Sequence, residues 1–364
     1  MTTQSVAFVG TGKLDGEDAT GFAMAYKHAD AYETINHCSL DSCADIVREN
    51  AEEFAATYDI PSERVYEDYE QMLQEIQPDI VSVTVPPAIH AEIVLGCIRS
   101  GVVDAVHCEK PMADDWNSCV ELVDAANDAD VQLTFNHQRR FGQPFREAKR
   151  LLERGDIGEL TRVEFAAANL FDYGTHSFDL CNYYNDECDI EWVMSQIDYS
   201  KENIVFGAHN TNEAIVQWKY ENGVFGYGAT GVGTAAEAIN CHHRLIGTDG
   251  CIEIGVGFCG SGDGPTLRIN RSGAESWETI ETGDVNVHGP GFQQAAIEHV
   301  VTALVDGVEP ELSGRNALRS TELIFGAWES ARRRGRVDFP LNITDNPLES
   351  MLESGELNPK PSDD

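Results

Sequence analysis

Along the 364 residues, hydrophobic and polar positions follow two different periods. In the first third, short apolar runs alternate with stretches rich in helix formers. Residues 5–9 (SVAFV) form such a run and end in Gly-Thr-Gly, as a strand buried on both faces would. Residues 23–32 predict a helix, 38–44 a second strand, and 47–58 a helix dense in Ala and Glu. The series continues with a strand at 79–85 stopped by Pro86-Pro87, a helix at 90–99, a strand at 102–108, a helix at 114–127 and a closing strand at 131–135. Strands separated by helices imply right-handed crossovers and a doubly wound parallel sheet, the α/β class.

Near residue 155 the period changes. Ala214, Val216, Trp218 and Tyr220 alternate with Ile215, Gln217, Lys219 and Glu221, the period of two of a half-buried strand. Asn222-Gly223 follows, and Asp249-Gly250 lies between apolar runs at 244–247 and 251–254; both are hairpin signals. A mostly antiparallel sheet is expected here, with two late helices at 291–304 and 315–333. Residues 345–364 mix Pro, Gly, Ser and acids and read as a loose tail.

Charge narrows the picture. Lys and Arg number 25 and Asp and Glu 62, so the formal net charge is 25 − 62 = −37. Such a surface repels nucleic acid and anionic membranes, which leaves neither as a partner. The acids are spread through patterned segments rather than gathered in blocks, which points to a folded halophilic protein. High salt screens the self-repulsion, and carboxylates keep the surface hydrated. No apolar run reaches the length of a membrane span, and Met1-Thr2-Thr3-Gln4 lacks the basic and apolar regions of a signal peptide, so a cytoplasmic location is expected. The ten cysteines include no C-x-x-C pair and read as reduced thiols; Cys97, Cys108, Cys119 and Cys251 lie in apolar stretches. Cys241-His242-His243 is the one tight Cys/His group. It precedes an expected strand at 244–246, and no metal site is expected there.

The candidate chemistry begins at Gly10-Thr11-Gly12, where the first strand ends. Glycines at that point let a backbone approach a pyrophosphate. The full G-x-G-x-x-G is absent, and residues 13–20, from Lys13 on, read as an inserted loop ahead of a helix starting near Gly21. An acid ending the second strand would bind the adenosine ribose; Asp45 holds that place, with Asp41 as the other candidate. A carboxylate would repel a 2′-phosphate, which favours NAD, while Arg48 nearby keeps NADP open. Glu109-Lys110-Pro111 falls at the carboxyl end of a strand, the ligand-binding edge of open α/β sheets. Pro111 biases Lys110 toward an extended backbone, from which it could hold a substrate hydroxyl. Asp172 and His176 are four apart and share a face if a helix begins there. His176 could then be a general base oriented by Asp172; equally, the pair could be an N-capping Asp and a buried structural His.

Five segments in order carry a resemblance: EKP (109–111), NHQRRFGQPF (136–145), GDIGEL (155–160), DYGTH (172–176) and AWESARRRGRVDFPL (327–341). Together the chain resembles the Gfo/Idh/MocA oxidoreductase family over residues 5–341. The resemblance implies a Rossmann domain over 1–135, a substrate-binding and oligomerisation α+β domain with a large open, mostly antiparallel sheet over 136–341, and an acidic tail over 342–364. It implies a nicotinamide cofactor along Gly10, Thr11, Gly12, Lys13 and Asp45, with Val85, Pro86, His90 and Glu109 close by. Lys110, Asp172 and His176 would form the catalytic group, and Arg139, Arg140 and Tyr173 the pocket wall. The implied activity is NAD(P)-dependent oxidation of a sugar, polyol or related hydroxy compound. A non-redox enzyme using bound NAD and a cofactor-binding sensor are the alternatives. A homodimer or homotetramer through the open sheet is expected, because a large apolar face rarely stays bare. The chain departs from the family pattern at the inserted loop, at Val85 where Thr is common, and in the short link before Asp172.

Overall fold

The computed structural model describes residues 3–14, 23–231, 233–257, 264–283 and 285–362. The inserted loop and the helix start near Gly21 therefore lie outside the described residues, apart from Lys13 and Leu14. The chain divides into two compact units, one of Met1–Gln138 and Gln293–Leu318, the other of Arg139–Phe292 and Arg319–Asp364.

The first unit runs β1 (Gln4–Val9), α1 (Met24–Glu33), β2 (Cys38–Ala44), α2 (Arg48–Thr57), β3 (Val65–Tyr66), α3 (Tyr69–Ile76), β4 (Ile80–Val83), α4 (His90–Arg99), β5 (Ala105–Cys108), α5 (Trp116–Ala129) and β6 (Gln132–Phe135). All six strands are parallel, in the order β3-β2-β1-β4-β5-β6. Val6, Ala7, Phe8 and Val9 are all buried, which is why β1 reads as a continuous apolar run rather than an alternating one. Phe8, Tyr26, Tyr32 and Phe54 fill one side of the sheet, each aromatic adding roughly 1.5–3 kcal/mol of burial. Asp79 pins the start of β4 to β1 by accepting from the Ser5 amide at 2.6 Å and the Ser5 hydroxyl at 2.7 Å. The strand order reverses between β1 and β4, so their carboxyl ends border the crevice where ligands bind in sheets of this kind.

The expected elements of this unit form, with shifted ends. The strand expected at 102–108 begins only at Ala105. The short strand β3 and helix α3 were not expected. In α3 the apolar residues Tyr69, Met72, Leu73 and Ile76 recur at helical spacing, with Met72 and Leu73 buried; its start is fixed by Asp68, which accepts from the amides of Glu70 and Gln71.

The second unit opens with α6 (Gln143–Glu153), β7 (Leu160–Ala167), α7 (Gly174–Tyr184) and β8 (Ile190–Asp198). The short pair β9 (Ile204–Val205) and β10 (Ala208–His209) precedes β11 (Glu213–Tyr220), β12 (Phe225–Thr230) and α8 (Thr234–Ile239). Next come β13 (Cys241–Gly247), β14 (Gly250–Val256), β15 (Leu267–Arg271) and β16 (Glu278–Thr279). Helices α9 (Phe292–Asp306) and α10 (Gly314–Arg333), strand β17 (Val337–Asp338) and helix α11 (Pro347–Glu353) finish the chain. A sheet runs β16-β15-β14-β13-β7-β12-β11-β8-β17, antiparallel except where β12 meets β7. Both hairpin signals are realised, joining β11 to β12 and β13 to β14.

Three expectations are corrected. Residues 293–318 return to the first unit, so a cut at 135/136 does not separate the two. The tail is not loose throughout: α11 forms in it, capped by Asn346, which accepts from the amides of Leu348 and Glu349. Cys241-His242-His243 does not precede a strand but opens β13.

Candidate functional site

In the first unit, the Gly-Thr-Gly turn leaves β1 with Gly10 at φ 84° and Gly12 at φ 61°, a backbone that side chains rarely adopt. A Cβ on Gly10 would lie 2.5 Å from Val85 Cγ1. The bare glycine edge thus leaves room that any side chain would fill. Thr84 secures the far wall: its amide donates to the Val9 carbonyl at 2.9 Å and its hydroxyl to the Gly10 carbonyl at 2.7 Å. Asp45, just past β2, accepts from the Gly12 amide at 2.9 Å, the Thr11 hydroxyl at 3.1 Å and the Val47 amide at 2.9 Å. Asp41, the other candidate acid, is committed to an ion pair with Arg64. Arg48 pairs with Glu52 at 2.8 Å on an exposed helix face. A glycine turn with positive φ and a carboxylate at the next strand's end fit a dinucleotide: the turn suits its pyrophosphate and Asp45 its ribose.

His90 and Glu109, expected beside the cofactor, are tied into the frame of the first unit. His90 is fully buried, with Nε2 2.9 Å from the Val85 carbonyl and Nδ1 2.7 Å from the Pro111 carbonyl. Burial pulls its pKa below the ordinary imidazole range, against the two carbonyls and Glu109, which raise it. A neutral ring has one N–H, so it donates to one of these carbonyls at a time. Either way it clamps the Val85-Pro86 loop to the segment after Lys110, whose bond to Pro111 is cis.

Glu109 is buried under the same segment. It accepts from His28 Nε2 at 3.0 Å and Asn136 Nδ2 at 2.6 Å, and its other oxygen from the Lys110 amide at 3.2 Å. His28 Nδ1 meets the Ser82 hydroxyl at 2.8 Å, and Gln293 accepts from Asn136 at 2.8 Å. Burial alone would raise the Glu109 pKa; its His28, Lys110 and Asn136 partners outweigh that and hold it at about 2. His107 stacks against His28, and its Nδ1 lies 2.9 Å from the Thr134 hydroxyl, which itself donates to the Val106 carbonyl. Burial takes His107 down to about 3. Lys110 itself is half-buried at the carboxyl end of β5, where its position was expected.

In the second unit, residues 171–173 turn into α7, placing Asp172 before the helix and His176 on its first turn. The N-cap position falls on Tyr173, one residue after Asp172; the Tyr173 amide donates to Asn169 Oδ1 at 2.8 Å and the Asp172 amide to Asn210 Oδ1 at 3.2 Å. His176 is 4% exposed. The Arg139 guanidinium lies 4.3 Å over the Tyr173 ring, and the Tyr173 hydroxyl lies 3.3 Å from His288 Nδ1. Arg139 and Tyr173 are thus brought together. Arg140 itself is buried: it grips Asp179 through Nε and Nη2, both at 2.7 Å, and the partly exposed Glu187 through Nη1 at 2.6 Å. Reading from sequence missed Thr84, His28 and Asn136 as frame residues; none has a spacing that announces a contact 27 or more residues away. Among the described residues no His, Cys, Asp and Glu cluster could hold a metal ion, and no helix is long and apolar enough to cross a membrane.

Comparison with known proteins bears on this arrangement. Residues 4–137 match the profile of an oxidoreductase family with an NAD-binding Rossmann fold. The chain is 22% identical to myo-inositol 2-dehydrogenase of Thermotoga maritima over 55% of its own length and 63% of the relative's. It is 23% identical to D-apiose dehydrogenase of Paraburkholderia graminis, over 92% of this chain and 90% of that one. Several curated relatives, the Thermotoga enzyme among them, are spanned over less than two thirds of their length. An Agrobacterium radiobacter oxidoreductase solved with NAD+, L-tartaric acid and magnesium shares the fold, with a TM-score of 0.73 at 18% identity, over 93% of this chain and 98% of that one.

Proposed function

Because residues 4–137 belong to the NAD-binding Rossmann domain of the Gfo/Idh/MocA oxidoreductase family, we propose that the whole chain is an NAD-dependent dehydrogenase acting on a CH–OH group of a sugar, polyol or related hydroxy compound. The observation that carries the reading is the paired construction of the first unit. A glycine turn held by Asp45 follows β1, and Lys110 follows β5 on a segment clamped by His90 and Glu109. The names of the inositol and apiose relatives support a polyhydroxy substrate.

Gly10, Thr11 and Gly12 would take the pyrophosphate and Asp45 the adenosine ribose. Bound NAD supplies the hydride acceptor. His176 takes the proton of the reacting hydroxyl, Asp172 sets the orientation of His176, and the Lys110 ammonium holds the same oxygen as negative charge develops on it. Arg139 and Tyr173 offer a planar donor and an aromatic face to the rest of the substrate. The half of the open sheet made by β8, β11 and β12 presents Met194, Ile215 and Phe225, each 39–46% exposed, and is the face through which copies of the chain would associate.

The test is a cofactor-reduction screen in molar KCl against aldoses, inositols and sugar acids, followed by Lys110→Ala on the best substrate. Turnover should fall by at least ~10²-fold while NAD affinity stays within about twofold, because a residue at the reacting oxygen adds transition-state stabilisation. Near-unchanged turnover would overturn the role given to Lys110.

A further inference from the structure

The Cys241-His242-His243 group does not converge as a ligand set. Cys241 packs with Ala166, Ala229 and Ile239, whereas the two histidines are buried against Phe145. The β13–β14 ladder skips His242 and Gly255, where Gly255 takes φ 61°, and the two imidazoles lie together with centroids 4.6 Å apart. Their polar contacts form one line. Arg139 Nη1 lies 2.7 Å from His242 Nε2, His242 Nδ1 lies 2.6 Å from His243 Nδ1, and His243 Nε2 lies 3.0 Å from the Ser177 carbonyl.

The two ends of the line fix every proton in it. A guanidinium only donates and a carbonyl only accepts. His242 must accept at Nε2, so as a neutral ring it carries its proton on Nδ1. His243 must donate at Nε2, so its Nδ1 is bare and receives the proton of His242. A further proton on either ring would set two N–H groups face to face in a contact of 2.6–2.7 Å. The line therefore requires both rings neutral, in opposite tautomers. Burial agrees: it drives His242 well below the ordinary imidazole range and His243 to about 4. The charged and titratable groups around the pair are Arg139 and His288, which also disfavour a proton on His242, Asp179 on α7, which is itself bonded to Arg140, and Tyr184, whose ring lies 6.1 Å from His243.

We propose that His242 and His243 are positioning residues, a two-imidazole wire of fixed proton direction that runs from Ser177 on α7 to Arg139 and holds the guanidinium on the ring of Tyr173 as a donor toward the acceptor oxygens of the substrate. The substrate-facing part rests on the dehydrogenase reading above; the wire does not. Its anchor, Ser177, directly follows His176, so the same line registers the first turn of α7 against β13. A glutamine can replace either ring without reversing the line, its oxygen accepting and its nitrogen donating. A leucine cannot.

The experiment uses the full chain labelled with 15N at histidine and at arginine. The wild type should show one ring protonated on Nδ1 only and one on Nε2 only, lost respectively in His242→Gln and His243→Gln, and neither titrating from neutral pH down to about 5. Slowly exchanging Arg139 guanidinium protons should persist in His242→Gln and vanish in His242→Leu. With a turned-over substrate, His242→Leu should raise KM ~10-fold, the loss of about one hydrogen bond to a charged group, with a smaller change in kcat, and His242→Gln should restore it. The same tautomer on both rings, or a ring that protonates near pH 6, would overturn the wire. Equal behaviour of the Leu and Gln variants would overturn positioning. If no substrate is found, the dehydrogenase reading fails, yet the two labelled spectra still decide the wire. Should His242→Leu not fold, the wild-type and glutamine spectra decide it.

Discussion

Replacing Glu109 with Gln tests whether the EKP glutamate belongs to the frame of the first unit. The carboxylate is 7% exposed and accepts from His28, Asn136 and the Lys110 amide. Its pKa is brought from 4.5 to about 2. A group whose folded-state pKa is depressed stabilises the fold fully above its unfolded pKa, and that stability is lost as pH falls through the folded value. At ~1.36 kcal/mol for each tenfold change in proton affinity, that depression amounts to about 3 kcal/mol. Glu109→Gln should therefore cost about 3 kcal/mol near neutrality, with the difference from wild type shrinking as pH falls from about 4.5 to about 2. Urea unfolding followed by circular dichroism at a series of pH values reads this, provided the slope against denaturant is unchanged. Salt supplies a control, because a buried pair is screened far less than surface charges; the difference should be similar in low and molar KCl. A pH-independent difference, or one below about 0.5 kcal/mol, would return Glu109 to the ordinary range of surface substitutions and refute the buried pair.

Three further outcomes are expected. Gly10→Ala should abolish detectable NAD binding by calorimetry, because the new Cβ meets Val85 Cγ1 at 2.5 Å and the Val85 amide at 3.0 Å, on top of the ~1 kcal/mol cost of positive φ. Asp45→Ala removes the acceptor for Gly12, Thr11 and Val47 and should weaken NAD by at least ~10-fold, whereas Asp41→Ala breaks only the Arg64 pair and should leave NAD affinity unchanged in the same titration. The thermal midpoint should climb steeply with added KCl, since a net charge of −37 opposes the compact state until it is screened; a flat salt response would refute adaptation to high salt.

What the chain made legible follows from range. Five of the six parallel strands of the first unit are short runs that local composition locates to within three residues, whereas β3, two residues long, leaves no such run. The alternation through β11 and the turn at Asn222-Gly223 are equally local and equally readable. Helix α3 was equally legible, since Tyr69, Met72, Leu73 and Ile76 keep the helical period behind the cap Asp68, but at eight residues it is short enough to pass for a connection between strands. Helix α11 was hidden because its capping Asn346 and Pro347 sit in a segment whose acids and glycines suggest disorder, while Leu348 and Met351 find a core that the local window does not contain. Residues 293–318 look continuous with what precedes and follows them, and only long-range contacts return them to the first unit.

The motif residues divide along the same line. Gly10, Asp45 and Lys110 stand where local rules put them, at the carboxyl ends of strands. Adjacency misleads for Glu109 and Arg140. Each is the neighbour of a residue assigned to substrate, and each turns out to be paired within the core. Successive side chains point to opposite sides of an extended segment and about 120° apart in a 3-10 turn such as Gln138–Phe141, so the neighbour of a residue facing a ligand is directed elsewhere. When such a neighbour is ionisable, it must find partners there or pay the cost of desolvation. Glu109 finds His28 and Asn136, and Arg140 finds Asp179 and Glu187. A charged doublet in a site motif is then best read as one residue for the ligand and one for the frame, and the frame member is identified by buried partners far away in sequence.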